Sequence, residues 1–84
     1  MTRDQIIQNI LKIMHDEFEI ENPGLDDDLR ESHGFDSIDA ITLLELIEDM
    51  LQSQLTQDEK KSAMEIRTIN QICDYIERLI KVRA

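Results

Sequence analysis

The sequence predicts an all-α fold, a small bundle of three main helices plus one short helix, with a long loop between the first two. Three observations carry this. Apolar residues recur at helical spacing, and no stretch alternates with the period of a strand. Three boxes stand directly before such stretches: Thr2-Arg3-Asp4-Gln5, Thr56-Gln57-Asp58-Glu59 and Thr68-Ile69-Asn70-Gln71. In each, the threonine hydroxyl accepts from a first-turn N–H and the Gln or Glu reaches back to the cap, so the set marks helix starts. Finally, one proline and two glycines leave long helices uninterrupted. At 84 residues the chain is expected to form a single domain over residues 1–84, with a core too thin to wall a deep active site.

The first helix is expected from about Arg3 to Glu17, with Ile6, Ile7, Ile10, Leu11, Met14 and Phe18 on one face. Asn22-Pro23-Gly24 breaks that pattern. Residues 19–35 form the long connection, pinned by Ile20, Leu25, Leu29 and Phe35, with Asp26-Asp27-Asp28 able to cap a short turn. A connection of this length in a small domain is functional or ordered by its own packing. The second helix starts at Asp36 or Ser37 and ends near Leu51. Ile41, Leu44, Ile47 and Leu51 give its core face, widened by Leu43, Leu46 and Met50. A short polar third helix spans about Gln57 to Glu65, anchored by Ala63, Met64 and Ile66. The last runs from Ile69 to about Lys81 with Ile69, Ile72, Cys73, Ile76, Leu79 and Ile80 as its buried stripe. Arg78, Lys81 and Arg83 lie near its C-terminus, where positive charge suits the dipole.

The formal net charge is -10, from 19 acidic residues against 9 Lys and Arg. That balance argues against nucleic acid and anionic membrane as partners and for basic protein patches. No apolar run is long enough to span a membrane, and no signal-peptide pattern opens the chain. One cysteine excludes an internal disulfide, so nothing ties the chain to an oxidising compartment and the cytoplasm is the expected location; a monomer is also expected. No Lys or Arg occurs between Arg30 and Lys60, an interval that holds Glu31, Asp36, Asp39, Glu45, Glu48, Asp49, Asp58 and Glu59. A solvated helix face accounts for many such runs. A helix shaped for stability alone mixes signs through i,i+4 pairs, so the one-sign pattern points to a docking face.

Within that interval, Gly34-Phe35-Asp36-Ser37-Ile38-Asp39 places a serine where loop turns into helix. Ser37 has three readings. It is a first-turn or capping serine. It is a nucleophile, which needs a base and an oxyanion site; the chain offers only His15 and His33 and lacks a Gly-x-Ser-x-Gly elbow. Or it carries a phosphorylated arm, for which a helix N-terminus is well suited. Asp36 is able to take the cap and leave the hydroxyl free.

Asp36-Ser37-Ile38 at the head of the second helix resembles the Asp-Ser-Leu motif of acyl carrier proteins. The order and spacing of the helices, with Ile66-Arg67-Thr68-Ile69 and Asp74-Tyr75-Ile76 in the last one, extend the likeness over essentially the whole chain. The resemblance implies a non-enzymatic carrier. Ser37 would hold 4'-phosphopantetheine taken from coenzyme A, and the arm's thiol would bear the acyl group. Asp36, Ile38 and Asp39 would be the motif residues that a phosphopantetheinyl transferase recognises. Asp36, Asp39, Glu45, Glu48 and Asp49 would meet basic patches on acyl ligase or synthase enzymes, and Ile38, Leu44, Ile47 and Ile69 would shelter an acyl chain or simply form core.

Departures from the family pattern are Ile38 for leucine, Thr42 where a glutamate is common, and Lys60 and Lys61 in a longer third helix. They favour a specialised carrier, serving a dedicated ligase or a polyketide or lipid-modifying pathway, over housekeeping fatty-acid synthesis. An aminoacyl or peptidyl carrier is the nearest alternative, although Asp36 before the serine favours acyl cargo. An unmodified acidic adaptor is the alternative from another class. Cys73 reads as a core residue. His15 and His33 lack partners at zinc spacing, and the Asp26-Asp27-Asp28 run lacks a calcium-loop pattern, so no metal site is expected, though weak divalent binding by crowded acids is.

Overall fold

The computed structural model describes residues 1–83 and is helical, with α1 Arg3–Phe18, α2 Leu29–His33, α3 Ser37–Leu51, α4 Gln57–Ala63 and α5 Ile69–Arg83. No strand occurs among the described residues, and no helix is long and apolar enough to cross a membrane. Both complete threonine boxes at Thr2 and Thr56 cap their helices as expected. At Thr68 the same exchange is present, with the Gln71 N–H donating to the hydroxyl at 3.1 Å and the Thr68 N–H to the Gln71 amide at 3.2 Å.

Helices α1 and α5 form the main packing pair. Ile6, Ile10 and Met14 of α1 and Ile69, Ile72, Cys73 and Ile76 of α5 are fully buried. Burying each aliphatic side chain contributes about 1.5–3 kcal/mol. The Arg3 guanidinium staples the pair at one end: it donates to Asp74 at 2.7 Å, to Glu77, and to the Asn70 carbonyl and side chain at 3.2 Å. Helix α3 adds Leu43, Leu44 and Ile47 to the same core.

The long connection is not wholly loop. Asp28 accepts from the N–H groups of Arg30 and Glu31 at 2.9 and 3.0 Å and starts α2, a fifth, one-turn helix. The connection is tied to the head of α5: the Leu29 N–H donates to the Arg67 carbonyl at 2.8 Å, and the Asn70 N–H to the Leu25 carbonyl at 3.0 Å. Ile20, Leu29 and Phe35 are buried pins, but Leu25 contributes its carbonyl and leaves its side chain exposed.

Three other core assignments change. Ile41 is 54% exposed, because α3 packs through its Leu43, Leu44 and Ile47 side and Ile41 falls beyond the solvent edge of that arc. Met64 is also exposed, because α4 ends at Ala63 and not Glu65, and its last turn tightens into i,i+3 bonds from Met64, Glu65 and Ile66. Tyr75, outside the apolar stripe read from the sequence, is buried because its hydroxyl has a partner: it donates to the Glu59 carbonyl at 2.7 Å.

Candidate functional site at the start of α3

The site begins with a stop. Gly34 closes α2 in the left-handed region at φ 68°, which a glycine adopts without strain. Phe35 then turns inward, is buried, and meets Phe18 at the end of α1 edge to face, with ring centroids 5.2 Å apart. That aromatic contact fixes where the chain emerges to start α3.

Asp36 is the N-cap of α3. Its carboxylate accepts from the Asp39 N–H at 2.9 Å, and the Asp39 carboxylate accepts from the Asp36 N–H at 3.3 Å. Two acids thus form a reciprocal box with the logic of the threonine boxes. Asp36 being the cap, Ser37 is the first residue inside the helix, exposed, with its hydroxyl outside the capping exchange. Of the four N–H groups that a helix start leaves unpaired, the box takes those of Asp36 and Asp39 and leaves those of Ser37 and Ile38. The remaining amides and the helix dipole favour an anion on Ser37, so the residues fit a phosphodiester there.

Ile38 is corrected by the structure. It is 72% exposed beside the serine, so it lines no interior; the first turn of α3 points it outward. Leu44 and Ile47 do face an apolar seam between α3 and α4. Phe35, Ala40 and Leu43 complete that wall, and Ala63 and Ile66 form the other. The seam is closed, a cavity of about 10 Å³. Ile69 is fully buried at the head of α5, outside the residues lining this seam.

The acids of α3 divide. Glu45 and Asp49 are exposed along an open groove continued by Gln52, Ser53 and Gln54. Glu48 lines the same groove, is half-buried, and accepts from the Leu55 N–H at 2.8 Å, so one oxygen of its carboxylate is engaged within the fold. No basic residue lies in the last turn of α3.

Other candidates have ordinary surroundings. Burial pushes the Cys73 thiol above its usual range. His15 sits against Asp16 at 3.0 Å, which raises its pKa. The Gly24 N–H, and then His33, hold the Asp27 carboxyl low. Among the described residues no three His, Cys, Asp or Glu side chains are grouped to hold a metal ion.

Sequence reasoning missed the acidic box and the Phe18–Phe35 contact. The signal for the first was an Asp three residues after another Asp; for the second, that the chain's two phenylalanines flank its longest connection.

A family model described as a phosphopantetheine attachment site matches residues 5–76. No curated protein matches the chain.

Proposed function

The chain belongs to the phosphopantetheine-attachment family, and from that premise we propose that Ser37 is the attachment residue and an acyl group the cargo. Members of this family hold 4'-phosphopantetheine covalently and serve as carriers that meet phosphopantetheinyl transferases and synthase or ligase enzymes. The arm's terminal thiol holds the cargo as a thioester. The chain supplies the rest: a serine held outward on a rigid helix end, partner-binding charge, and apolar shelter.

One observation supports Ser37 most directly: Asp36 takes the cap, so the exposed serine that follows is not needed to close the helix. Asp36, Ile38 and Asp39 flank Ser37 in the first turn and are the residues a transferase would read. The partner face runs down α3 through Glu45 and Asp49, with Asp36 and Asp39 at its head. Acyl cargo is favoured over aminoacyl or peptidyl cargo by the aliphatic seam beside α3, which offers no polar side chain to an amino acid. The Lys60–Lys61 pair on α4 sets this carrier apart and favours a dedicated ligase or synthase.

Intact-protein mass spectrometry after incubation with coenzyme A and a broad-specificity transferase tests the assignment, with Ser37→Ala as the control. The expected result is one phosphopantetheine added to the wild type and none to Ser37→Ala. A variant that still accepts the arm moves the site elsewhere. No gain on a folded, unmodified wild type favours an unmodified acidic adaptor.

A further inference from the structure

Helix α4 is held unequally at its two ends. At its start, Arg83 of α5 binds the Glu59 carboxylate through two bonds of 2.7 Å and donates to the Ser53 hydroxyl at 2.8 Å and the Gln54 carbonyl at 2.9 Å. Tyr75, also of α5, donates to the Glu59 carbonyl, and Glu48 of α3 holds the Leu55 N–H. At its end, Met64, Glu65 and Ile66 make only local backbone bonds of 3.2–3.4 Å, with Arg67 donating to the Met64 and Ile66 carbonyls at 2.9 and 3.0 Å. None of those three bonds to another helix among the described residues, and the nearest anchors are at Arg67, whose carbonyl accepts from the Leu29 N–H at 2.8 Å and whose N–H donates to the Gln71 side chain at 2.6 Å.

Of the two ends, only the last turn borders the seam. The start of α4 follows the end of α3 by a loop over residues 52–56, while Ala63 and Ile66 share the seam with Phe35 and Ala40, next to Ser37. A cavity of about 10 Å³ holds no more than about one water, so any chain that enters must displace α4. The end held by fewer side-chain bonds yields before the pinned one. The opening is therefore a wedge, widest near Ser37 and closed at Glu59.

We propose that Arg83 is a positioning residue that limits the length of cargo this carrier shelters, by pinning the closed end of the wedge between α3 and α4. The proposal rests on the carrier reading above.

The test loads wild type, Arg83→Met and Arg3→Met with butanoyl, octanoyl, dodecanoyl and hexadecanoyl arms and follows thioester cleavage by hydroxylamine. Arg3→Met cuts the α1–α5 staple and so controls for general loosening. In wild type, protection is expected to rise with chain length to a limit and then fall. Arg83→Met should move that limit at least one step longer, as should Glu59→Gln, while Arg3→Met leaves it in place. An unmoved limit, an equal move in Arg3→Met, or no length dependence in wild type overturns the proposal. If Ser37 accepts no arm, the carrier reading itself has failed, and hydrogen exchange on the unloaded protein still judges the lever. Amides of Met64, Glu65 and Ile66 should exchange about tenfold faster than those of Glu59 and Lys60, and Arg83→Met should remove the difference. Equal exchange at both ends in wild type overturns it.

Discussion

The Leu55 N–H donates to the Glu48 carboxylate at 2.8 Å, which ties the loop after α3 back onto α3 itself. Glu48 therefore differs in kind from its acidic neighbours. Glu48→Ala is expected to cost about 1 kcal/mol in urea denaturation, by leaving a part-buried N–H unpaired.

Glu45 and Asp49 have no such internal task, so their reversal should act on partners. Glu45→Lys and Asp49→Lys are expected to slow association with a cognate enzyme several-fold at low salt, with the effect fading as salt rises. Stopped-flow binding at two ionic strengths checks this. Unchanged rates at low salt would remove α3 as the docking face.

The Arg83 fork, followed by the Thr56 N–H, lowers the Glu59 carboxyl from 4.5 to about 2. A lowered pKa gives stability that is present above the unfolded value and disappears as pH falls through the folded one. Acid titration of the wild type should thus lose this contribution between about pH 4.5 and pH 2, and Glu59→Gln should flatten the curve there. Parallel curves for the two proteins would contradict the pairing.

Burial raises the Tyr75 phenol to about 12. Here the sign reverses: stability is full below the ordinary tyrosine pKa of about 10 and falls as pH climbs toward 12. Tyr75→Phe should remove that alkaline loss and cost about 1 kcal/mol at neutral pH, read by thermal and denaturant melts.

At the head of α3, Asp36→Ala should cost about 1 kcal/mol and Asp36→Asn much less, because asparagine still caps. If both variants also load more slowly, the transferase reads the charge as well as the helix start.

Two isoleucines on α3 should behave oppositely. Ile47→Ala is expected to cost about 2–5 kcal/mol because its side chain is fully buried. Ile38→Ala should stay within about 0.5 kcal/mol, its side chain lying in water. Comparable losses would mean that α3 is rotated from the position described.

Helix existence and starts were legible because their causes are local. Thr2, Thr56 and Thr68 announce caps within four residues, and the spacing of Ile6, Ile10 and Met14 needs no partner to be read. The bundle class and Ser37 at a helix N-terminus followed from the same signals. What escaped depends on distant chain. Arg83 read as a dipole complement, while its bonds to Glu59, Ser53 and Gln54 span 24 to 30 residues. Ile38 and Ile41 are apolar and helical, but only the packing of α3 shows that they face solvent. Helix α2 was foreseen only as a capped turn, since five residues carry too little periodicity to announce a helix.

Tyr75 has one more consequence. The chain has no tryptophan and a single tyrosine, and that phenol sits at the joint where α5 grips α4. The tyrosine emission of the protein thus originates at the joint that, in the wedge proposed above, stays fixed while the other end opens. Nature has left a native optical gauge there. A loaded and an empty carrier differing in emission would be reporting the grip itself, without any dye attached.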